Sequence, residues 1–353
     1  MNPFQRKGKI KMKRYEKRGV PFSLILFLFT ACIFLTGPVF AEEEDSVYEP
    51  LPKMKYPADN AWSAQKEELG KMLYFDPRLS GSNWISCATC HHPGLGWGDG
   101  LPRGFGNGQK ELGRHSPTVI NSGYSPVQMW DGRKKTLEDQ ALGPIGSAGE
   151  MNQDYDELVK ELKAIPGYVY LFDKVFGKNS ITMKNVGKAI ATFERSVVSN
   201  NSAYDKYWQG DKKAMSRSAV NGMNLFFGKA KCSICHNGPA FTDGNFHNIG
   251  VRQHGPLKVD LGRFNISKED FDKGAFKTPG LRHITRSAPY MHDGSEATLE
   301  QVVAFYNRGG DVDQNKSPFI TPLGLTAQEE KDLVEFMKAL EGEPILVLIP
   351  QLP

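Results

Sequence analysis

One arrangement of cysteines occurs twice in this chain of 353 residues, as Cys87-Ala-Thr-Cys90-His91 and as Cys232-Ser-Ile-Cys235-His236. Two thiols three positions apart can each add to one vinyl group of a haem, and the adjacent His then reaches the iron as its axial ligand. Three other uses of such pairs fit less well. A redox-active Cys pair needs neither a following His nor a second copy. A four-cysteine zinc site brings its pairs much closer in sequence than Cys90 and Cys232 lie. A disulfide within either pair would close almost no loop. Two covalently bound c-type haems are expected, and the chain is long enough to wrap each in its own domain.

The leader region is consistent with that chemistry, because c-type haems are attached outside the cytoplasm. Residues 1–18 hold eight Lys and Arg against Glu16 alone, and residues 21–39 are almost wholly apolar. Val39-Phe40-Ala41 then offers small residues for a signal peptidase. A retained anchor is the rival reading, since the apolar run is nearly long enough to span a bilayer. The acidic run Glu42-Glu43-Glu44-Asp45 favours removal of residues 1–41, so export to the periplasm with no lasting membrane insertion is expected. Losing eight basic residues and one acid takes the formal net charge from +4 to −3. Nothing left resembles a nucleic-acid footprint.

An apolar-periodic stretch precedes each haem motif, residues 65–75 with Leu69, Met72 and Leu73, and residues 218–227 with Val220, Met223, Phe226 and Phe227. Further helical patterns cover residues 154–164 and 182–198. Thr298 and Thr326 open capping boxes before two more. No alternating strand run of any length appears. The chain therefore reads as mostly α, with two cytochrome c-like domains at residues 42–205 and 206–353. The apolar tail from Pro344 to Pro353 is expected to pack across a domain surface.

The strings LGKMLYFDPRLSGSNWISCATCH, SPTVINSGY, MWDGRKKTLEDQALGPIGSAGEMN, FFGKAKCSICHNGPAFTDGNFHNIG and FKTPGLRHITRSAPYMHDGSEATLEQVVAFY resemble the bacterial diheme cytochrome c peroxidase/MauG superfamily, in that family's order and over nearly the whole chain after the leader. The resemblance implies a hydrogen-peroxide-dependent enzyme. The haem on His91 would react with peroxide, and the haem on His236 would store or relay electrons. Trp130 matches the Trp between the haems. Gln140 and Glu150 match the active-site Gln and Glu, and Pro144 the proline against the distal haem face. A carboxylate near the iron can take a proton from bound peroxide and return it to the leaving oxygen. The family also implies an inter-haem calcium ion held by the carbonyls of Ser287 and Pro289, and a homodimer is compatible with it.

Two positions depart from the peroxidase pattern. The glycine-rich loop that supplies a distal His in other members carries Asn107 here, which leaves the first haem open unless His115 or His92 moves in. Fourteen residues after His292, where peroxidases place a Met ligand, stands Tyr306, as in MauG-like members. A phenolate favours oxidised iron where a thioether favours reduced iron. Both departures lean toward oxidation of a protein substrate rather than peroxide removal fed by a small cytochrome or cupredoxin. A non-catalytic diheme electron carrier is the alternative of another class, and Glu150 argues against it. The calcium expectation is weakened because His115 stands at the expected Asn ligand position.

Overall fold

The computed structural model describes residues 50–353, so the leader expected over residues 1–41 lies outside the described residues. Among the described residues the chain is mostly helical, with a single pair of two-residue strands. In the first half, α1 (Ala64–Phe75) leads to α2 (Cys87–Cys90), which is the haem motif itself. Then come α3 (Leu137–Gly146), α4 (Tyr155–Lys163), α5 (Pro166–Phe176) and α6 (Met183–Glu194). The second half holds α7 (Ala203–Trp208), α8 (Arg217–Phe227), α9 (Phe264–Ser267), α10 (Leu299–Arg308) and α11 (Ala327–Ala339). Strands β1 (Phe246–His247) and β2 (Phe276–Lys277) pair antiparallel within it.

The same helix crossing is built twice. In α1, Leu69, Leu73 and Tyr74 are fully buried and pack on α6, and Gly70 lies directly over the Ala189 carbonyl, where a Cβ would collide. In α8, Gly222 lies over the Asp332 carbonyl of α11 in the same way. Glycine is needed at both crossings because the backbones approach too closely for a side chain. Each crossing closes with edge-on aromatics, Tyr74 against Phe193 at 5.1 Å and Phe226 against Phe336 at 5.1 Å.

Two hydrophobic cores result. One gathers buried residues from Leu69 to Val197, the other from Tyr204 to Leu340. Both capping boxes are formed, with Thr298 accepting from the Gln301 N–H and Thr326 from the Glu329 N–H. The tail returns to the first core, where Ile345 and Val347 pack and the Pro353 carbonyl accepts from Arg78 at 3.1 Å.

A second duplication links each core to its site. Met129-Trp130-Asp131-Gly132 and Met291-His292-Asp293-Gly294 form matching turns, with Met φ of 71° and Gly φ of 67° in both. The bridges Gln128–Lys134 and Tyr290–Glu296 close them, and each turn delivers a threonine N-cap, Thr136 for α3 and Thr298 for α10. Counting along the two turns and helices together, Trp130 corresponds to His292 and Pro144 to Tyr306.

Periodicity did not reveal α3, α5 or α7, nor the single-turn α2 and α9. Helix α5 is rich in aromatic and β-branched residues, and it forms because Pro166 starts it at a favoured position while Tyr168 and Phe172 are fully buried. Helix α3 contains Gly143, Pro144 and Gly146, and depends on its Thr136 cap and the acids of its first turn. Helix α7 falls where the pattern breaks, and is held by a Ser202–Asp205 capping box and the buried Asp205–Arg282 ion pair.

Candidate functional site

Around the second haem motif, Cys232, Cys235, His236 and Tyr306 line one cavity of about 310 Å³, whose wall also includes Trp130, Lys277 and His292. The His236 Nδ1 faces the Phe241 carbonyl at 3.0 Å. A carbonyl can only accept, so Nδ1 carries the proton and Nε2 keeps its lone pair for a metal. Burial holds this imidazole below its ordinary pKa, which favours the neutral ligand form. Tyr306 sits on the inner side of α10. Burial, and then the nearby Cys232 and Cys235, push its phenol well above the ordinary value.

At the first motif, the His91 main chain is fixed by Tyr74, whose hydroxyl donates to the His91 carbonyl at 2.7 Å. Its imidazole is kept neutral by burial, against the opposing pull of Asp99 and of the Pro117 and Trp97 carbonyls. Its buried Nδ1 lies near those carbonyls without a hydrogen bond of ordinary geometry to either. The four cysteine thiols are all raised by burial, Cys90 and Cys235 to about 11 and Cys232 to about 12. Redox-active pairs show the opposite shift. Cys87 packs on the first core and Cys232 on the second, so the four do not form one zinc site. Each motif thus offers two partly buried thiols and a neutral His beside an apolar core, a donor set that fits a covalently attached haem.

Gln140 and Pro144 lie one turn apart on α3. The Pro144 carbonyl then accepts the N–H groups of Ser147 and Met151, which curls the chain and presents Glu150 just beyond the helix. The Asn107 N–H donates to the carbonyls of Glu150, at 2.8 Å, and Gly149. The Asn107 loop is therefore clamped on the backbone of Glu150. The carboxyl of Glu150 is close enough to Cys90 that, after burial and Asp99, it contributes to raising that thiol. Pro144, Glu150 and Asn107 are thereby joined through backbone bonds, with Glu150 near Cys90, and Gln140 stands one turn before Pro144 on α3.

Trp130 is bonded to residues of both halves. Its indole N–H donates to the His115 carbonyl at 2.9 Å, and its own carbonyl accepts from the Lys277 N–H at 2.8 Å. Arg114 bridges Asp131 and Asp260 beside it, at 2.8 and 2.6 Å. Of the two histidines considered as alternative ligands, His92 is turned away from that role, because its Nδ1 accepts and its Nε2 then carries the proton. His115, like His236, keeps its Nε2 lone pair. The His92 Nδ1 accepts from the Gly94 N–H at 3.0 Å, and the His115 Nδ1 faces the Leu101 carbonyl at 2.9 Å. Ser287 and Pro289 share the cavity wall with His115, but an imidazole turned to a carbonyl supplies no hard oxygen. The calcium ligand set does not fit at that position.

Sequence reasoning overlooked Glu194 and Lys277. Neither lies in a spaced motif, although the buried face of α6 continues as far as Glu194. Asp243 and His247 lie near Cys235, but with Cys235 in a thioether only their own 2.8 Å pair remains.

Residues 64–213 match the family model described as di-haem cytochrome c peroxidase. The chain is 42% identical to the methylamine utilization protein MauG of Methylorubrum extorquens, over 84% of each chain. It is 40% identical to the cytochrome-c peroxidase IdrP1 of Denitromonas iodatirespirans, over 86% of this chain and 89% of that one. A crystal structure of a MauG-like protein associated with microbial copper homeostasis superposes with a TM-score of 0.78 at 32% identity, covering 85% of this chain and 96% of the other. The family implies two c-type haems, peroxide and a redox protein partner. The chain belongs to the di-haem cytochrome c peroxidase family and is an oxidoreductase that acts with peroxide.

Proposed function

We propose that peroxide is cleaved at the haem on His91, that electrons are drawn through the haem on His236, and that the electron source is a protein substrate oxidised in the manner of MauG. The observation that carries this reading is the repeat correspondence of Pro144 with Tyr306. At the position where the second half offers a phenol toward its haem cavity, the first half offers a ring with no donor or ligand atom.

When bound, the haem supplies the iron at which the peroxide O–O bond is broken. Glu150 takes the proton from one peroxide oxygen and returns it to the other, the work of a general acid–base. Gln140 orients peroxide through its amide. Pro144 offers no ligand atom, and Asn107, fixed on the Glu150 backbone, brings an amide and not an imidazole, so these residues would leave room for peroxide at the first haem. Trp130 is held in one orientation by its bond to the His115 carbonyl, as a relay between the two sites requires. His236 and Tyr306 would hold the second haem, and a phenolate from Tyr306 would favour its oxidised form.

The mature chain, after loss of residues 1–41, works in the periplasm. Among the described residues no helix is long and apolar enough to cross a membrane. The relatives bearing MauG and peroxidase names are similarly close, so the reading rests on Tyr306, Pro144 and Asn107 and not on those names. The test is to mix fully oxidised holoprotein with stoichiometric peroxide, without reductant, and to follow optical and EPR spectra. A long-lived oxidised state with loss of the ferric EPR signals is expected. A protein that stays inert until one haem is reduced would assign it to the detoxifying peroxidases fed by a small donor protein.

A further inference from the structure

The cavity beside Cys232 and Cys235 contains a charge that the scheme above does not use. Lys277, in β2, lines this cavity opposite Phe246 of β1, and its main-chain N–H is bonded to the Trp130 carbonyl. The other basic side chains of the wall are committed or outside. Arg282 is locked to both carboxylate oxygens of Asp205, at 2.8 and 2.9 Å, and to the Pro239 carbonyl at 2.6 Å. His247 is paired with Asp243, His236 faces Phe241, His115 faces the Leu101 carbonyl, His292 faces Gln253, and Lys231 is exposed. Lys277 has no carboxylate partner among the described residues, and burial alone pulls its ammonium down to about 8. A lone buried cation is costly, and its cost is offset when an anion is brought to it.

We propose that Lys277 is the positioning residue for a propionate of the C-terminal haem, and so fixes that haem with its propionate edge toward Trp130. The inference rests on haem attachment at Cys232 and Cys235. The vinyl groups and the propionates occupy opposite edges of a porphyrin. Thioethers at the two cysteines therefore send the carboxylates across the cavity, to the side where an acid-free ammonium waits. The backbone bond from Lys277 to Trp130 makes this edge continuous with the proposed relay.

The test uses holoprotein carrying Lys277→Met, with Lys277→Arg as the charge-conserving control. Each is examined for covalent haem content, for the midpoint potential of the C-terminal haem and for the propionate-bending bands in resonance Raman spectra. Removing a cation near a haem favours the ferric form. Lys277→Met should therefore raise the ferric to ferrous ratio about tenfold at fixed ambient potential, a fall of about 59 mV for one electron. The propionate bands of that haem should shift, and Lys277→Arg should retain most of the parent behaviour. If Lys277→Met fails to fold, Lys277→Gln serves the same comparison. Two attached haems with unchanged potential and unchanged propionate bands would overturn the proposal. A parent protein with haem only at Cys87 and Cys90 would instead defeat the two-haem reading itself.

Discussion

Replacing Glu194 by Gln should change how stability depends on pH. Glu194 ends α6, is 5% exposed, and its Oε2 has no hydrogen-bond partner. Burial pushes its carboxyl from 4.5 up to about 8; Arg195 opposes this and Glu138 adds to it. Arg195 cannot do more because its guanidinium is held by both Glu138 oxygens, at 2.7 and 3.0 Å. With the folded pKa above the unfolded one, folding takes up a proton between them. The stabilisation is complete below about pH 4.5 and is lost as pH rises toward about 8. Each pKa unit corresponds to about 1.4 kcal/mol, so the parent should lose about 3 kcal/mol from this group between pH 5 and pH 7. A domain of this size converts that to about 6 °C in Tm. Gln does not titrate, and all other groups cancel in the comparison. Thermal unfolding of both holoproteins at pH 5, 6, 7 and 8 should therefore give diverging curves, with Glu194→Gln gaining on the parent as pH rises. Parallel curves would refute the reasoning, since they would mean that Glu194 is already ionised or partnered in the folded protein.

Four further outcomes are expected. Tyr306→Met should change the optical and EPR spectra of the C-terminal haem and raise its potential, whereas identical spectra would remove Tyr306 from the iron. Glu150→Gln should slow the reaction with peroxide about 100-fold or more while both haems stay attached, as read by stopped-flow absorbance. Gly222→Ala should destabilise the holoprotein by about 3 kcal/mol in denaturant titration, because its Cβ would meet the Asp332 carbonyl, part of a rigid helix backbone. Burial alone would raise the Asp205 carboxyl, but hydrogen bonds from Arg282 bring it below its ordinary value. Its contribution should therefore persist at neutral pH and disappear as pH falls below about 4, and in Arg282→Leu the parent's advantage at pH 7 should be about 3 kcal/mol or more in the same titration.

The parts of this molecule legible in its sequence are those where chemistry fixes spacing. Cys87, Cys90 and His91, and their counterparts at 232, 235 and 236, must lie within one haem's reach, so they announce themselves. The same is true of α1, α8 and α10, whose apolar faces follow the helical period because each buries mainly one side. It holds for the start of α6 as well, although that helix is buried all round from Ala189 to Glu194. Helix α5 is hidden because its Tyr, Val and Phe content is that of a strand, and its Pro166 start and burial against the first core decide otherwise. Lys277 and Glu194 are silent for a different reason. An isolated Lys or Glu is usually a solvated residue, and what makes these two unusual is the wall around them, assembled from segments far apart in the chain. The repeated turn was readable in principle, since Met-Trp-Asp-Gly and Met-His-Asp-Gly stand in plain view. Its meaning needed the matching backbone angles and the helix that follows each copy.

That repeat explains how one scaffold, used twice, can give two unlike sites. The helix crossing, the cysteine pair, the tight turn and the capped helix are duplicated, so each half can place a ring of side chains around a haem by the same means. Two corresponding positions differ in side-chain chemistry. Where the second half has His292, stacked on Phe276 at 3.7 Å, the first has Trp130, tied to the backbones of His115 and Lys277. Where the second has Tyr306 in the cavity wall, the first has Pro144, whose ring cannot ligate and whose place in the helix turns the chain toward Glu150. In the proposed scheme the first substitution supplies a route between the haems, and the second leaves one haem open to peroxide while the other is closed by a phenol. The functional asymmetry then needs no separate architecture for either site, only side chains that differ at matched points of the same frame.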